Sequence, residues 1–456
     1  MPGLSMILET ARRALLSQQV GINVTSHNIA NASTAGYSRQ RVNFSPTPAL
    51  WERYGYLGTG VQAESIGRLR DSFLDGQIRS TNGAMHSAVT QQGVLSQVEA
   101  SFNEPSDAGL SAMMTQFFNS WQTLATHPED SSARNGVAQQ GVLLAQGFQR
   151  LHNELDQTHL AINDDVSVKI DSINQLTSQI SDLNKRIINA AASGGEPSDL
   201  EDERDRKLDD LSKLANITFS KDSSGSITVS IGGMTVASRA GSVAIAAREA
   251  GGQLQIVTAK DNLQLNVTGG ELGGDLKLYN TTLPGYLSKL DELANALINR
   301  VNALHSAGYG LGTPPSTGVN FFAGSSAADI SVDPAIQSDA SLIAASQDGT
   351  PGDNTVALAI ANVPNDKVLN GNTLTVSQFY NGLASSVGSD INAVQSTADA
   401  QQLVLSQLEN QRTSVSGVSL DEEMTSLIQY QRAYDAAARL VNTANEMFQT
   451  VLDMVA

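Results

Sequence analysis

The C-terminal stretch from Ser419 to Val455 reads SLDEEMTSLIQYQRAYDAAARLVNTANEMFQTVLDMV, and an apolar or aromatic side chain recurs in it at every seventh position. This C-terminal column consists of Leu420, Leu427, Tyr434, Val441, Phe448 and Val455. A strict seven-residue repeat keeps one narrow side of a helix facing a partner, so the stretch predicts a coiled-coil-like helix about 55 Å long. Ser419 to Glu422 match a capping box, which predicts the helix start and accounts for Glu422 and Glu423 as capping residues.

A second column lies near the N-terminus. Its members, again seven residues apart, are Leu8, Leu15, Ile22 and Ile29. Each terminal stretch offers only a thin apolar stripe, so neither helix is expected to be stable alone. We expect the two helices to pair, either within one chain only or also with other copies of the chain, and the spacing alone does not choose between these alternatives.

Between the two ends, apolar periodicity predicts long helices on both sides of a β region. Strands are expected between 217 and 270, where apolar residues alternate and glycine-rich turns intervene. The predicted helices cover about 71–102, 109–126, 131–192 and 198–215 before this region, and 284–304 and 375–415 after it. Each long helix before the β region can pair with one after it.

The predicted fold class is therefore mainly α with an inserted small β domain. The N- and C-terminal helices are nested as a coiled-coil-like pair, and the inner helices form a long-helix bundle. We expect three units: residues 1–65 with 417–456 as a terminal helical assembly domain, 66–215 with 276–416 as a helical bundle domain, and 216–275 as a β domain exposed on the outside.

The composition excludes several classes of protein. The chain of 456 residues has no Cys, which excludes disulfide scaffolds, Cys-type zinc sites, iron–sulfur clusters and thiol nucleophiles. Its 46 acidic and 28 basic residues give a net charge of −18, which argues against binding to nucleic acid or to an anionic membrane surface. No stretch approaches the roughly 20 apolar residues that span a bilayer, and the N-terminus lacks the pattern of a cleaved secretory signal.

Motifs for catalysis or cofactor binding are missing from the sequence. We find no H-E-x-x-H, G-x-S-x-G or G-x-x-x-x-G-K-[ST] pattern. His152, Asp156 and His159 share a helical spacing that suits metal ligands, but such a trio on a bundle helix is more often a polar patch. The charged run 201–207 predicts a solvated helix face. We therefore expect no catalytic residue, no cofactor and no metal, and no enzymatic activity.

The end of the first predicted helix carries a distinctive motif. Residues 27–39 read HNIANASTAGYSR, and the motif residues are Asn28, Ile29, Ala30, Asn31, Gly36, Tyr37, Ser38 and Arg39. By itself the segment predicts a helix stop and a loop, because Asn tolerates left-handed backbone and Gly36 permits a turn.

Together with residues 417–452, this motif resembles the rod and hook axial proteins of the bacterial flagellum. The Asn-Ile-Ala-Asn pattern is shared widely in that family. The segments Gly36–Arg39, Leu427–Tyr434 and Phe322–Val332 resemble more specifically its hook-associated junction proteins.

The resemblance implies a structural protein that is exported unfolded, without cleavage, through the flagellar type III apparatus and lies outside the cell at the hook–filament junction. There it would form a ring of copies around the export channel, with both apolar columns in contact between subunits. The implied partners are copies of itself, the hook protein, a second junction protein (hook-associated protein 3) and an export chaperone, with no nucleic acid and no membrane.

The sequence is also compatible with three other interpretations. The chain could be a rod or hook protein of the same family. It could be an enzyme carried on a flagellar scaffold, although the β region at 217–270 contains no His and no Cys. It could also be a surface adhesin that uses the β domain.

Overall fold

The structure, a computed structural model, describes residues 2–53 and 55–455. Helices dominate it. They are α1 (Pro2–Ala30), α2 (Ser72–Phe102), α3 (Leu110–Thr126), α4 (Ser131–Ala192), α5 (Ser198–Leu214), α6 (Gly270–Lys277), α7 (Leu283–His305), α8 (Pro334–Ser338), α9 (Thr355–Ala361), α10 (Val376–Ser416) and α11 (Leu420–Val455). A π-helical turn, Leu278–Thr282, joins α6 to α7. These bounds confirm the predicted fold class.

The strands form small antiparallel sheets. They are β1 (Gln40–Pro46), β2 (Leu50–Glu52), β3 (Gly55–Leu57), β4 (Val61–Arg68), β5 (Ile217–Lys221), β6 (Ile227–Ile231), β7 (Met234–Ser238), β8 (Gly241–Ser242), β9 (Ile245–Ala250), β10 (Gln253–Thr258), β11 (Gln264–Leu265), β12 (Phe322–Ala323), β13 (Ser331–Val332), β14 (Lys367–Leu369) and β15 (Leu374–Thr375). The larger sheets have the orders β5-β6-β7-β8 and β11-β10-β9, and the remaining strands pair as β1-β4, β2-β3, β12-β13 and β14-β15.

The terminal helices α1 and α11 pack against each other in antiparallel directions. Gly21 faces Tyr430, while Asn28, one heptad later, is bonded to Glu423, one heptad earlier in α11. Strands β1 and β4 lie beside α1 and extend this unit. The first and last segments of the chain therefore form one body, as the two heptad columns predict.

The inner helices form a bundle around one continuous hydrophobic core. Helix α2 pairs with α10, and the 62-residue α4 contacts α3, α5 and α7. Fully buried side chains such as Trp121, Phe148, Leu155 and Leu290 fill the space between them. The bundle begins at Asp71, whose carboxylate caps α2 by accepting bonds from two backbone N–H groups of its first turn.

The inserted strands form a layer on α4 instead of a separate globule. Val229 of β6 is fully buried and shares the bundle core with Ile173 and Ile180 of α4. The side chain of Asn184 bonds both backbone groups of Ile227, and Asn174 does the same for Ile245. The sheets are thus open to solvent on one side only. Residues 270–275, at the end of the segment predicted as β, belong to α6, which packs on α2.

Candidate assembly interface

The predicted apolar columns lie at the margins of the α1–α11 contact. In α1, the column Leu8, Leu15, Ile22 and Ile29 is half-buried. In α11, Leu427, Val441 and Phe448 are half-buried, whereas Leu420 and Tyr434 are exposed. The side chain of Val455, the last predicted interface residue, lies outside the described part of the structure. Each described member of both columns thus keeps part of its surface open to solvent.

Small residues occupy the centre of the same contact. Ala11 and Gly21 of α1, and Ala437 and Ala444 of α11, are buried there. The α11 positions on this side of the helix are Glu423, Tyr430, Ala437 and Ala444; they repeat every seven residues, three residues after the predicted column, and all but the half-buried Tyr430 are buried. Because small side chains let the two helices approach closely, the larger apolar side chains are displaced to the flanks, where one chain covers them only in part.

Further apolar side chains of the two helices face solvent. In α1 they are Ile7 and Leu16; in α11 they are Met424, Ile428, Leu440, Met447, Leu452 and Met454. Large exposed apolar areas are uncommon on monomeric soluble proteins and often mark interaction sites. The helix pair therefore presents an apolar surface suited to packing against further protein.

Asn28, the first Asn of the motif, ties three segments together. It is fully buried, and its side-chain oxygen accepts bonds from the Gln40 backbone N–H at 3.0 Å and the Tyr37 hydroxyl at 2.7 Å. Its amide nitrogen donates to the Gln40 carbonyl at 2.9 Å and to Glu423 at 3.0 Å. Every hydrogen-bonding position of this buried amide is used, which explains why an Asn suits the position.

The rest of the motif ends α1 and turns the chain. Asn31 donates to the His27 carbonyl in the last turn, and Ala30 is the final helical residue. Gly36 has a φ of +75°, and a Cβ atom there would lie 2.6 Å from the Arg206 side chain. Conformation and space thus both favour glycine at this turn.

Arg39 joins the motif to the start of α11. Its guanidinium lies 2.6 Å from Glu422 and 2.7 Å from the buried Glu423. The interpretation of these two glutamates as capping residues alone is therefore wrong, because both form ion pairs with Arg39, which for Glu422 lies 383 positions earlier in the chain. This contact fixes α11 to the loop that follows α1.

A buried ionic cluster connects this terminal unit to the bundle. We call it the joint cluster; its members are Arg68, Arg70, Arg79, Asp202, Asp205 and Asp209. Asp202 of α5 accepts bonds from the backbone N–H and hydroxyl of Ser38 at 2.9 and 2.7 Å, and lies 2.6 Å from Arg68 at the end of β4. One helix of the bundle thus holds both strand β4 and the motif loop.

Asp205 is the centre of the joint cluster. Its carboxylate lies 2.8 Å from Arg68, 3.2 Å from Arg70 and 3.4 Å from Arg79. Burial by itself would raise the pKa of Asp205, but the three guanidinium groups outweigh it and lower the pKa to about 2. Asp209, one turn later, bonds Arg79 and also Arg412 of α10. The carboxylates of α5 thus bring together β4, α2 and α10.

The prediction that residues 201–207 form a solvated helix face is consequently wrong. Asp202, Arg204 and Asp205 are all buried. The sequence interpretation missed them because their partners are mostly more than 120 positions away in the chain. The composition could have pointed to these residues. Only 16% of the chain is charged, so a dense charged run such as 201–207 is unusual and suggests a specific role.

The residues considered for metal binding do not assemble into a site. His152 lies 3.7 Å from Asp291, and His159 stacks on Tyr279 and contacts its carbonyl oxygen. Across the described residues, no group of three or more His, Cys, Asp or Glu side chains is arranged to hold a metal ion. A cleft of about 720 Å³ between α2 and strands β10–β11 is lined mainly by small and amide side chains.

Three family models match this chain, one in its middle and one near each end, and all three describe flagellar proteins. The family model for the flagellar hook-associated protein FlgK helical domain matches residues 95–322. The model for the flagella basal body rod protein matches residues 8–37, and that for the C-terminal region of the flagellar basal body rod FlgEFG proteins matches residues 409–454. These last two segments contain most of α1 and α11.

Similar proteins and one solved structure agree with these matches. Flagellar hook-associated protein 1 of Bacillus subtilis is 33% identical over 98% of this chain and 98% of its own length. The protein of the same name from Salmonella typhimurium is 24% identical over 99% of this chain and 100% of its own length. The structure of the flagellar hook junction protein FlgK from Burkholderia pseudomallei matches with a TM-score of 0.64 at 18% identity, covering 75% of this chain and all of that one. The fold is shared with that structure.

Proposed function

This chain belongs to the flagellar hook-associated protein 1 family, and from that premise we propose that it joins the hook to the filament as a ring of copies around the export channel. It is a structural component of the bacterial flagellum. No helix within the described ranges combines the length and the apolar character that crossing a membrane requires.

One observation carries the proposal. The helices α1 and α11 cover each other through small residues and leave the larger side chains of both heptad columns partly open. Burying these side chains between neighbouring copies would contribute about 25 cal/mol for each Å² of apolar surface removed from water. If each copy in a ring packs its α1–α11 pair against the next copy in this way, the terminal helices together line the central channel.

The joint cluster gives the proposed subunit a defined shape. A buried carboxylate held by three arginines tolerates little displacement, because losing one partner leaves buried charge uncompensated. The angle between the terminal unit and the bundle is therefore set within each subunit.

The partners follow from the same proposal. They are further copies of the chain, the hook protein on one side, hook-associated protein 3 on the other and a type III export chaperone before export. The exposed apolar side chains of α11 would need cover in the cytoplasm, which supports the chaperone. The proposed location is the hook–filament junction outside the cell, reached without cleavage of a signal peptide.

The experiment that tests the proposal places a charge in the apolar column. We expect Val441→Asp to prevent assembly, because an aspartate at a protein–protein contact must lose its hydration. The variant would be expressed in a flagellated strain lacking its own junction protein, with filaments per cell counted by electron microscopy. Circular dichroism of the purified variant would show whether the bundle stays folded.

Val168→Asp is the matched control, since Val168 is exposed on α4 outside the terminal helices. It should restore filaments as the unchanged chain does. Normal filaments on hooks carrying Val441→Asp would contradict the interface assignment. If the unchanged chain fails to restore filament attachment, a rod or hook role becomes the better assignment.

A further inference from the structure

A small cavity lies where the motif loop, α5 and the end of α10 meet. Its volume is about 160 Å³, and we call it the loop cavity. Its charged side chains are Arg70, Arg206, Asp209 and Arg412, and Ser416, the last residue of α10, also lines it. Arg70 and Asp209 belong to the joint cluster as well, whereas the guanidinium of Arg206 and the hydroxyl of Ser416 take no part in that cluster.

Arg206 brings a positive charge to the loop cavity without a counter-charge. Its stem lies against Gly36, where a Cβ atom would be 2.6 Å from the Arg206 Cγ, so the lack of a side chain at position 36 leaves room for it. Its guanidinium donates to the Ala35 carbonyl at 3.1 Å and, within the described ranges, forms an ion pair with no carboxylate. Most of the N–H donors of Arg206 are therefore available to a ligand.

The other two arginines of the loop cavity are paired with carboxylates. Arg70 lies 2.7 Å from Asp75, and Arg412 lies 3.0 Å from Asp209. Asp209 is shared, however, because its second oxygen lies 2.7 Å from Arg79. Since one carboxylate balances two guanidinium groups here, the lining keeps part of the positive charge of Arg412 in addition to the unpaired cation on α5.

The hydroxyl of Ser416 provides an independent observation. Ser416 is only 7% exposed, and its Oγ is buried with no hydrogen-bond partner among the described residues. Nearly all buried polar groups in native proteins are hydrogen-bonded, and an exception is commonly explained by a bound water or ion. Because Ser416 lines the loop cavity, its hydroxyl can donate to a molecule bound there.

The size of the loop cavity and its donors define the class of ligand. A volume of about 150 Å³ accommodates one benzene molecule, whereas sites for drug-sized ligands occupy about 300–1,000 Å³. The loop cavity thus has room for one small anion but not for a nucleotide. Planar guanidinium groups present paired N–H donors that match the oxygens of phosphate or sulfate.

The end of α10 opposes an anion only weakly. A helix C-terminus carries a partial negative charge of roughly half an elementary charge, from backbone carbonyls without partners. Two of these carbonyls are already bonded: that of Thr413 accepts from the Gly417 N–H at 2.8 Å, and that of Ser416 accepts from the Arg39 N–H at 2.9 Å. The full charge of Arg206 therefore outweighs the charge of the helix end.

We propose that the loop cavity binds a small tetrahedral oxyanion of the phosphate or sulfate type, held by Arg206, Arg412 and the hydroxyl of Ser416. The bound anion connects α5 of the bundle to the end of α10, directly before the residue that leads into α11. This binding site goes beyond the proposed function and does not depend on it.

Isothermal titration calorimetry of the purified chain with inorganic phosphate tests the site. The titration is run at pH 7 with sodium chloride holding the ionic strength constant, and it should give saturable binding of one phosphate per chain. Arg206→Gln should weaken this binding on the order of tenfold, because a hydrogen bond between two charged groups is lost. Arg186→Gln, at an exposed arginine of α4, makes the same change in net charge and should leave the affinity unchanged.

A second variant separates binding from folding. Ser416→Ala removes a buried hydroxyl that has no partner, so without phosphate the variant should be at least as stable as the unchanged chain. Phosphate should raise the unfolding temperature of the unchanged chain by mass action, and should raise that of Ser416→Ala less. Ser414→Ala, at an exposed position of the same helix turn, is the matched control and should keep the full effect of phosphate. The general stabilisation of folded proteins by phosphate is common to both variants and cancels in this comparison.

Two results would overturn the proposal. One is the absence of saturable phosphate binding to the unchanged chain, which would mean that the loop cavity holds only water. The other is equal phosphate affinity in Arg206→Gln and Arg186→Gln, which would place any bound phosphate elsewhere on the protein.

Discussion

The ring of Tyr430 lies directly on Gly21: a Cβ atom on Gly21 would be 3.0 Å from two ring carbons. The ring of Tyr430 also approaches Phe44 of β1, with ring centroids 6.1 Å apart. A large aromatic side chain of α11 therefore fits between α1 and β1 only because α1 has no side chain at this position. This contact sets the spacing of the terminal helix pair.

We predict that Gly21→Leu separates α1 from α11. The larger side chain overfills the space at Tyr430, and overpacking of this kind costs about 1–3 kcal/mol. In hydrogen exchange on the isolated monomer, residues 7–28 and 423–444 should exchange faster than in the unchanged chain, whereas α4 should keep its protection.

Gly3→Leu is the control, because a Cβ atom at Gly3 meets nothing within 4 Å. Both variants add the same side chain to the same helix, but only at Gly21 does the added side chain meet α11. Equal protection of the terminal helices in the two variants would show that the Gly21–Tyr430 contact does not hold the pair together.

The spacing of apolar residues predicted much of the fold, because each helix shows this spacing within its own sequence. The predicted bounds 131–192 coincide with α4, whose apolar side chains recur by threes and fours along its length. The seven-residue columns likewise predicted that the two terminal helices pack together. Their central contact was missed, because Gly21 and Ala437 carry no apolar signal that a periodic pattern would detect.

The joint cluster and strand β9 depend on information that the local sequence does not contain. Asp205 is buried only because Arg68 and Arg79, each more than 120 positions away, reach it in the folded chain. Strand β9, from Ile245 to Ala250, lies inside the predicted β region, but its own sequence IAAREA mixes small and charged residues without alternation, and pairing with β10 determines its conformation.

We predict that Asp205→Asn destabilises the protein by about 3–5 kcal/mol, the usual cost of removing one partner from a buried ion pair. Asparagine is neutral, so the three guanidinium groups that face position 205 would lose one of the carboxylates that balance their charge. Urea unfolding at pH 7, followed by circular dichroism, measures the change in the free energy of unfolding.

Asp210→Asn, in the same helix, is the control. Asp210 forms an exposed ion pair with Lys213, which contributes only about 0–1 kcal/mol. If Asp205→Asn lowers the free energy of unfolding by no more than the control does, the joint cluster does not stabilise the fold.

The acid stability of the unchanged chain tests the same carboxylate. Because folding lowers the pKa of Asp205 from 3.8 to about 2, its contribution is present above pH 3.8 and is lost as the pH falls from 3.8 towards 2. The free energy of unfolding of Asp205→Asn should therefore fall less steeply in this range than that of the unchanged chain.

His305 predicts a second pH dependence, at milder acidity. Its ring is buried beside Phe321, and its Nδ1 lies 2.7 Å from the Val319 carbonyl while its Nε2 lies 2.9 Å from the Ala344 backbone N–H. A carbonyl can only accept and an N–H can only donate, so the ring is neutral with its proton on Nδ1. Burial lowers the pKa of His305 to about 4, because a charged ring would lose its hydration.

The sign of the effect follows from the two pKa values. Between pH 6.5, the ordinary value, and about 4, the unfolded chain binds a proton at His305 that the folded chain does not, so stability decreases as the pH falls. From pH 7 to pH 5, we expect His305 to account for a loss of about 2 kcal/mol in the free energy of unfolding.

In His305→Gln this part of the pH dependence should disappear, although the variant is less stable at pH 7. His127→Gln, at an exposed position after α3, should keep the pH dependence of the unchanged chain, and an equal slope in both variants would contradict the assignment to His305.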